Sequence, residues 1–391
     1  MRNVYLDYSA TTPVKEQVVK EMLPYFTEHF GNPSSLYAQG LEAKQGMVTA
    51  RQRVAELINA DADEIYFTSC GTEADNWVLE AVADAFRKKG NHIITTKIEH
   101  HAVLHTCQYL EKHGVEVTYL DVDGEGFVRP EVLEAAIKDS TILVSIMMVN
   151  NEIGTIEPIK ELAKTAHDHG VLFHTDAVQA VGNVPVDVRN LDVDFLSMSA
   201  HKIYGPKGVG ALYKRRGIQI PNFIHGGGQE RKKRAGTENT AGIVGFGKAA
   251  ELARLNLHSH MNHSGKLRAR LWDRIEKEIP DIILNGPKDF SKRHPGNLNI
   301  AISYIEGESV LLMLDLNGIS ISTGSACSSS SLGSSHVLDA IGVPVTKANG
   351  AIRITVGDNT TEEDVDFVVD TLKQVVAKLR ELSPVNGAEG W

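Results

Sequence analysis

Apolar residues along this chain follow two successive patterns. From about residue 50 to 215, short runs of branched and aromatic residues alternate with amphipathic stretches. The segments EIYFTS (64–69), HIITT (92–96), EVTYLD (116–121), TILVSIMMV (141–149), VLFHTD (171–176) and VDFLSMS (193–199) predict strands. Several are almost continuously apolar, as in strands covered on both faces. Helical patterns lie between them. Residues 73–90, EADNWVLEAVADAFRKKG, begin acidic and end in KKG, the polarity a helix dipole favours. Alternating strands and helices imply an α/β unit with a mostly parallel sheet.

After about residue 255 the rhythm changes. Residues 264–279 predict a helix, and NLNIAI (297–302), GISIST (318–323) and AIRITV (351–356) predict strands. A closing helix is expected from Thr361 to about Leu382, with Thr360 and Glu363 at capping-box spacing. Val365, Val368, Leu372, Val375 and Leu379 would form its apolar face. This half reads as a smaller α+β unit. The remainder, SPVNGAEGW, reads as a polar tail.

Composition narrows the classes. The chain has 391 residues, 42% of them hydrophobic, enough for a sizeable core. The net charge is −10, which argues against general attraction to nucleic acid. The dense basic run, Arg231 to Arg234, is expected to be a solvated loop. No apolar run is long enough to span a bilayer, and the N-terminus lacks the apolar segment of a signal peptide, so a cytoplasmic protein is expected. Cys70, Cys107 and Cys327 are too few and too scattered for a disulfide framework.

Candidate chemistry clusters at strand ends. SAHKIYGPKG (199–208) presents Ser199, His201 and Lys202 after a predicted strand. A desolvated lysine there has a lowered pKa and can form a Schiff base with a carbonyl. FHTDAVQAVG (173–182) places Asp176 at another strand end, with Gln179 just after. A Schiff-base lysine and an aspartate beside a pyridinium nitrogen are what pyridoxal phosphate requires. Gly71 and Thr72, in YFTSCGTEADN (66–76), stand where a helix N-terminus would attract a phosphate. His100 follows a strand end and could stack on a flat ring or move a proton. With His101, His105 and Cys107 it does not have the spacing of a zinc motif. Cys327 sits in STGSACSSSS (322–331), among residues too small to pack.

These pieces, with YLDYSATTP, FGNPSSL, EHHAVL, NNEIGTIEPI, GGGQERKKRAGTEN, GSACSSSSL and TTEEDVD, resemble the cysteine desulfurases of the NifS/IscS type across nearly the whole chain. The resemblance implies a pyridoxal-phosphate enzyme of fold type I. A large cofactor-binding domain over 15–255 would hold a mostly parallel seven-stranded sheet. A smaller α+β domain, made of 1–14 and 256–391, would carry the cysteine loop. Lys202 would be the Schiff-base lysine and proton shuttle, and Asp176 the partner of the pyridine nitrogen. Gln179 and Asn151 would contact the ring hydroxyl and the substrate region, and His100 would stack on the ring. Gly71, Thr72, Ser199 and His201 would hold the phosphate. Thr237 would reach the phosphate of a neighbouring subunit in a homodimer with shared active sites. Arg353 would grip the substrate carboxylate, a task suited to a guanidinium fork. Cys327 would be the nucleophile, taking sulfur from L-cysteine as a persulfide, with alanine as the other product. His100 is the candidate base for that thiol. The sulfur acceptor would be an iron–sulfur scaffold or another protein. No resident metal is expected, although Cys327 could ligate a transferred iron–sulfur cluster.

A selenocysteine lyase or general pyridoxal-phosphate lyase or aminotransferase is the alternative on the same fold, and an inactive scaffold partner is the alternative outside it. The cysteine loop argues against the first, and the intact Lys202, Asp176, Cys327 and Arg353 against the second. Asp358 and Asn359 depart from the arginine and aromatic common before TTEEE in the family, which leaves the charge near the substrate entrance open.

Overall fold

The computed structural model describes residues 2–323 and 335–382. Cys327, the serine run after it and the tail from 383 lie outside the described residues.

The strands are β1 (Val4–Tyr5), β2 (Ile65–Thr68), β3 (His92–Thr96), β4 (Glu116–Leu120), β5 (Thr141–Ser145), β6 (Leu172–Asp176), β7 (Phe195–Ser199), β8 (Gly210–Lys214), β9 (Ile282–Leu284), β10 (Asn297–Ile302), β11 (Ile319–Ser320), β12 (Ser322–Thr323) and β13 (Ala351–Thr355). Seven of them form one sheet in the order β2-β8-β7-β6-β5-β3-β4. Only β8 runs against the others in this sheet. Period-two alternation sends neighbouring residues to opposite faces. Phe67, Ile94, Val144 and Leu196 join one apolar cluster, while Tyr66, Ile93, Leu143 and Phe195 join another. Both faces are thus covered, which explains the continuous apolar runs. The α/β class and the mostly parallel seven-stranded sheet are as expected.

A second sheet, β12-β13-β10-β9, is antiparallel throughout. Its core takes Leu298, Ile300, Ile352 and Ile354 together with Val365, Val368, Leu372 and Val375 of the final helix, Glu362–Leu382. Val4 and Leu6 from the opposite end of the chain join the same core, and β1 pairs with β11.

Three local expectations change. The helix expected over 264–279 is the end of a 39-residue helix, Thr240–Glu278, so position 255 falls inside a continuous element. Ile243 and Phe246 pack in the large core, Leu267 and Ile275 in the small one. Its amphipathic stripe changes partners midway, which hides its length from a single-face reading. The strand expected over 318–323 breaks at Ile321, because β11 pairs with β1 and β12 with β13. At the last helix the reciprocal cap is Thr361 with Asp364: Thr361 N donates to Asp364 Oδ2 at 3.0 Å and Asp364 N to Thr361 Oγ1 at 3.1 Å. Thr360 Oγ1 instead accepts the Gly357 amide at 3.1 Å.

Candidate active site

Because six strands of the large sheet share one direction, their carboxyl ends collect at one edge, where ligands gather in such sheets. Asp176 ends β6. Ser199 ends β7 and leads into the short turn of helix Ala200–Lys202. The helix Gly71–Ala85 begins just after β2, and His100 follows β3.

Asp176 is buried, and its Oδ1 accepts the Val178 amide at 2.9 Å. Burial pushes its carboxyl up to about 6, restrained by that hydrogen bond and by the charge of Lys202. Lys202 Nζ donates to the Ser9 carbonyl at 2.5 Å and to that of Ala10 at 3.0 Å. Gln179 Nε2 donates to the same Ser9 carbonyl at 2.8 Å. His201 Nδ1 lies 3.1 Å from Thr11 Oγ1, and burial followed by the charges of Lys202 and Lys207 brings its ring down to about 4.

His100 caps the helix His101–Glu111 by accepting the Ala102 amide on Nδ1 at 3.1 Å. A nitrogen that accepts carries no proton, so the neutral ring holds its proton on Nε2. Burial, then the charge of Lys202, brings its pKa to about 4. His100 is thus a flat neutral ring at pH 7, which suits stacking and hydrogen-bond donation from Nε2 better than proton abstraction from a thiol. His101 stacks on His105 at 4.7 Å and lies 4.9 Å from His336. Among the described residues no group of three or more histidines, cysteines and carboxylates is arranged to hold a metal.

Gly71 permits a close approach. A Cβ there would meet Val178 Cγ2 at 2.6 Å and lie 3.8 Å from Ser199 Cβ. The helix start, whose first amides have no intrahelical partner, therefore sits beside the segment after Asp176 and the end of β7. Thr72 is exposed there, and Ser199 is buried. Thr237 is exposed and lines a cleft of about 210 Å³ with Thr68, Ser69, Glu230 and Arg234. The basic run beside it is not simply a solvated loop. Arg234 makes two bonds to Glu73, at 2.8 and 3.0 Å, and Arg231 lies 4.1 Å over the Tyr66 ring while donating to the Ile65 carbonyl.

Arg353, in the middle of β13, is 2% exposed. Its Nη1 donates to the Asn151 carbonyl at 2.9 Å and its Nη2 to Asp7 Oδ1 at 2.7 Å. Ser322 of β12 is its register partner, and Thr323 pairs with Ile352. Beyond that segment, Ser335 Oγ donates to the buried Glu152 carboxylate at 2.5 Å. Of the other cysteines, Cys107 is buried and its thiol is pushed up to about 12 by burial, which leaves it unreactive.

The profile of the family Aminotransferase class-V matches residues 4–368. The chain belongs to the class-V aminotransferase family. A relative in Clostridium botulinum strain Hall, named cysteine desulfurase IscS, is 58% identical over 384 residues, covering 98% of this chain and 97% of that one. Among solved structures, a NifS-like protein superposes with a TM-score of 0.91 at 40% identity, covering 97% of this chain and 100% of the other. SspA, solved in complex with cysteine, superposes at 0.81 with 34% identity, covering 92% and 100%. The resemblance to the NifS/IscS type read from the motifs is borne out.

The structure also brings to this sheet edge residues that the motifs did not single out by role. The segment Asp7–Thr12 crosses the strand ends and touches Arg353, Lys202, Gln179 and His201. Its motif, YLDYSATTP, stood out only as a resemblance. Asp75, on the helix after Gly71, is buried with Oδ1 unbonded and 3.6 Å from His174 Nε2. Burial, then the charge of Asp176, raises its carboxyl well above the usual range. An acidic residue in a first helical turn looked like a dipole partner and gave no such signal.

Proposed function

We propose that this chain is a cysteine desulfurase that takes sulfur from L-cysteine, releases L-alanine and leaves a persulfide on Cys327 for an iron–sulfur scaffold or another acceptor. Near-full-length identity of 58% to a protein of that name carries the reading. The collection of Lys202, Asp176 and His100 at one sheet edge supports it.

Pyridoxal 5'-phosphate fits these residues. Asp176 is a buried carboxylate whose pKa burial raises, and a ring cation beside it would stabilise its charge. Lys202 would hold the group through Nζ, His100 would cover its face, and Gln179 and Asn151 would meet its hydroxyl side. Gly71, Thr72, Ser199 and His201 would hold the phosphate. When bound, it supplies an electron sink for negative charge at the substrate α-carbon. Lys202 Nζ takes and returns the α-proton. Arg353 fixes the carboxylate. The Cys327 thiolate attacks the substrate sulfur, the carbon–sulfur bond breaks with its electron pair going to carbon, and protonation of that carbon completes alanine.

A cytoplasmic homodimer acting on small molecules and a protein acceptor, with no nucleic-acid or membrane partner, completes the proposal. Leu23, Phe26, Phe30, Leu36, Tyr37 and Leu41 are exposed in one stretch of chain, Leu36 at 91%, as a surface covered by a second copy would be. Thr237 would reach the phosphate held by that copy. No helix among the described residues is long and apolar enough to cross a membrane. The proposed domains are 15–255 and 1–14 with 256–391, joined through the helix Thr240–Glu278.

Mass spectrometry after addition of L-cysteine without reductant tests this. The expected result is one extra sulfur on the peptide carrying Cys327, with alanine formed in parallel, and neither in Cys327→Ser. A keto acid product with Cys327 unmodified would assign a lyase or aminotransferase instead.

A further inference from the structure

Arg353 is a cation in the middle of an antiparallel sheet, and its environment is built rather than incidental. The guanidinium is almost fully enclosed, and its Nε is buried without a hydrogen-bond partner among the described residues. Its two terminal nitrogens are held from different parts of the chain. The Asn151 carbonyl accepts from Nη1 at 2.9 Å, and Asp7 Oδ1 accepts from Nη2 at 2.7 Å. The Asp7 side chain is 16% exposed, so the ion pair is mostly withdrawn from water.

Asp7 is itself pinned. It forms an isolated parallel bridge to Thr355, two residues beyond Arg353 on the same strand. The Thr355 amide donates to the Leu6 carbonyl at 2.8 Å. Tyr5 Oη donates to the Asp7 carbonyl at 2.9 Å and to that of Thr11 at 3.1 Å. A two-residue strand could not place a side chain alone, since its pairing is too short. These extra bonds fix it. The same segment continues to Ser9, whose carbonyl accepts from Lys202 and Gln179. One short strap therefore sets the position of Arg353 relative to the cofactor lysine.

We infer that Asp7 is a positioning residue for substrate recognition: it holds the Arg353 guanidinium in one orientation, so that a free α-amino acid carboxylate is met by a preorganised fork rather than by a mobile side chain. This rests on the assignment of Arg353 to the substrate carboxylate under Proposed function. An arginine loses less orientational freedom per bond when its plane is already fixed. Asp7 is 346 residues from its partner in sequence.

The test uses the holoenzyme and two ligands of nearly equal shape, L-alanine and L-alaninamide, which differ in the carboxylate. Binding is read from the change in cofactor absorbance, and steady-state rates with L-cysteine are measured in parallel. Asp7→Asn keeps an acceptor oxygen and removes the charge; Asp7→Ala removes both. Loss of one charge-assisted bond predicts about a tenfold weaker affinity for L-alanine in Asp7→Ala, a smaller loss in Asp7→Asn, and unchanged affinity for L-alaninamide. KM for L-cysteine rises with kcat nearly kept. In an Arg353→Ala background, Asp7→Ala has no further effect on L-alanine, because the two residues act as one unit. Equal losses for both ligands, or losses that multiply with Arg353→Ala, would overturn the inference. An Arg353→Ala enzyme that still binds L-alanine like wild type would instead remove the carboxylate site from Arg353, and the role of Asp7 with it. Asp7→Asn serves where Asp7→Ala does not fold.

Discussion

Asp358 Oδ1 lies 2.5 Å from His260 Nδ1, while Oδ2 of the same carboxylate lies 2.6 Å from Lys15 Nζ. Asp358 therefore links the N-terminal strap, the end of β13 and the long helix. Its carboxylate, which departs from the family pattern, is engaged by both of these neighbours. Burial pushes the carboxyl up, but the bonds to His260 and Lys15 outweigh it and hold the group well below the usual range. A carboxylate with a depressed folded pKa lends stability above its unfolded pKa of about 4, and loses it only as pH falls through the lower folded value. Asp358→Asn is expected to cost about 2 kcal/mol in urea unfolding. The gap to wild type should still be present at pH 5, where Asp358 remains ionised. A gap lost by pH 5 would show that the pairing does not hold the carboxyl down.

Glu152 has the opposite sign. Burial raises its carboxyl to about 7, against the Ser335 hydrogen bond and the Arg353 charge. An acid with a raised folded pKa makes the folded state bind more protons than the unfolded one between about pH 4.3 and 7, so stability falls across that window and is flat above it. Glu152→Gln, which mimics the neutral acid, should gain on wild type by on the order of 2 kcal/mol between pH 5 and pH 8. Chemical denaturation at the two pH values measures it, and a pH-independent difference would refute it.

Removing the Ser335 hydroxyl should act twice. Ser335 Oγ accepts the Val337 and Leu338 amides at the start of helix His336–Ala340, and donates to Glu152. Ser335→Ala is expected to cost about 1 kcal/mol for the lost cap alone. It should also raise the apparent pKa in the Glu152 profile, since a bond that favours the ionised form is gone. Unchanged pH profiles in Ser335→Ala would separate the two residues.

His100 should not titrate between pH 5 and pH 9. Its ring is neutral there because burial holds the pKa near 4. Nitrogen-15 shifts of labelled histidine in the cofactor-free protein read this directly. Any acid limb of the rate profile near pH 6.5 then belongs to another group. His100→Ala should also lose about 1 kcal/mol of stability with its cap of the helix His101–Glu111.

Lys202→Ala should lower desulfuration by at least about 10³-fold through loss of proton transfer alone. Borohydride treatment followed by intact mass should show the reduced cofactor adduct on the wild type and not on the variant. An adduct that persists would place the lysine elsewhere.

Much of the site was legible because its residues sit at strand ends, and strand ends are marked by local changes in pattern. Asp176, Ser199, Lys202 and Gly71 were reached in that way. Asp7 was not, since an aspartate after two apolar residues near a chain start has no local signature. Nor was the raised carboxyl of Asp75, which depends on burial and on Asp176 lying near it after folding.

The sequence alone determined the α/β class, six of the seven strands of the large sheet, with β8 not read, and the residue types available for the chemistry. It could do so because period-two and helical periodicities are local, and each strand reports its own burial through its own side chains. Tertiary structure decided the rest. It divided residues 318–323 between two sheets, ran one helix from 240 to 278 through both cores, moved the final cap from Thr360 to Thr361, and brought Asp7 to Arg353. Each of these depends on which distant segment supplies the hydrogen-bond partner or the apolar contact. That choice belongs to the packing of the whole chain, and no short window of it carries the answer.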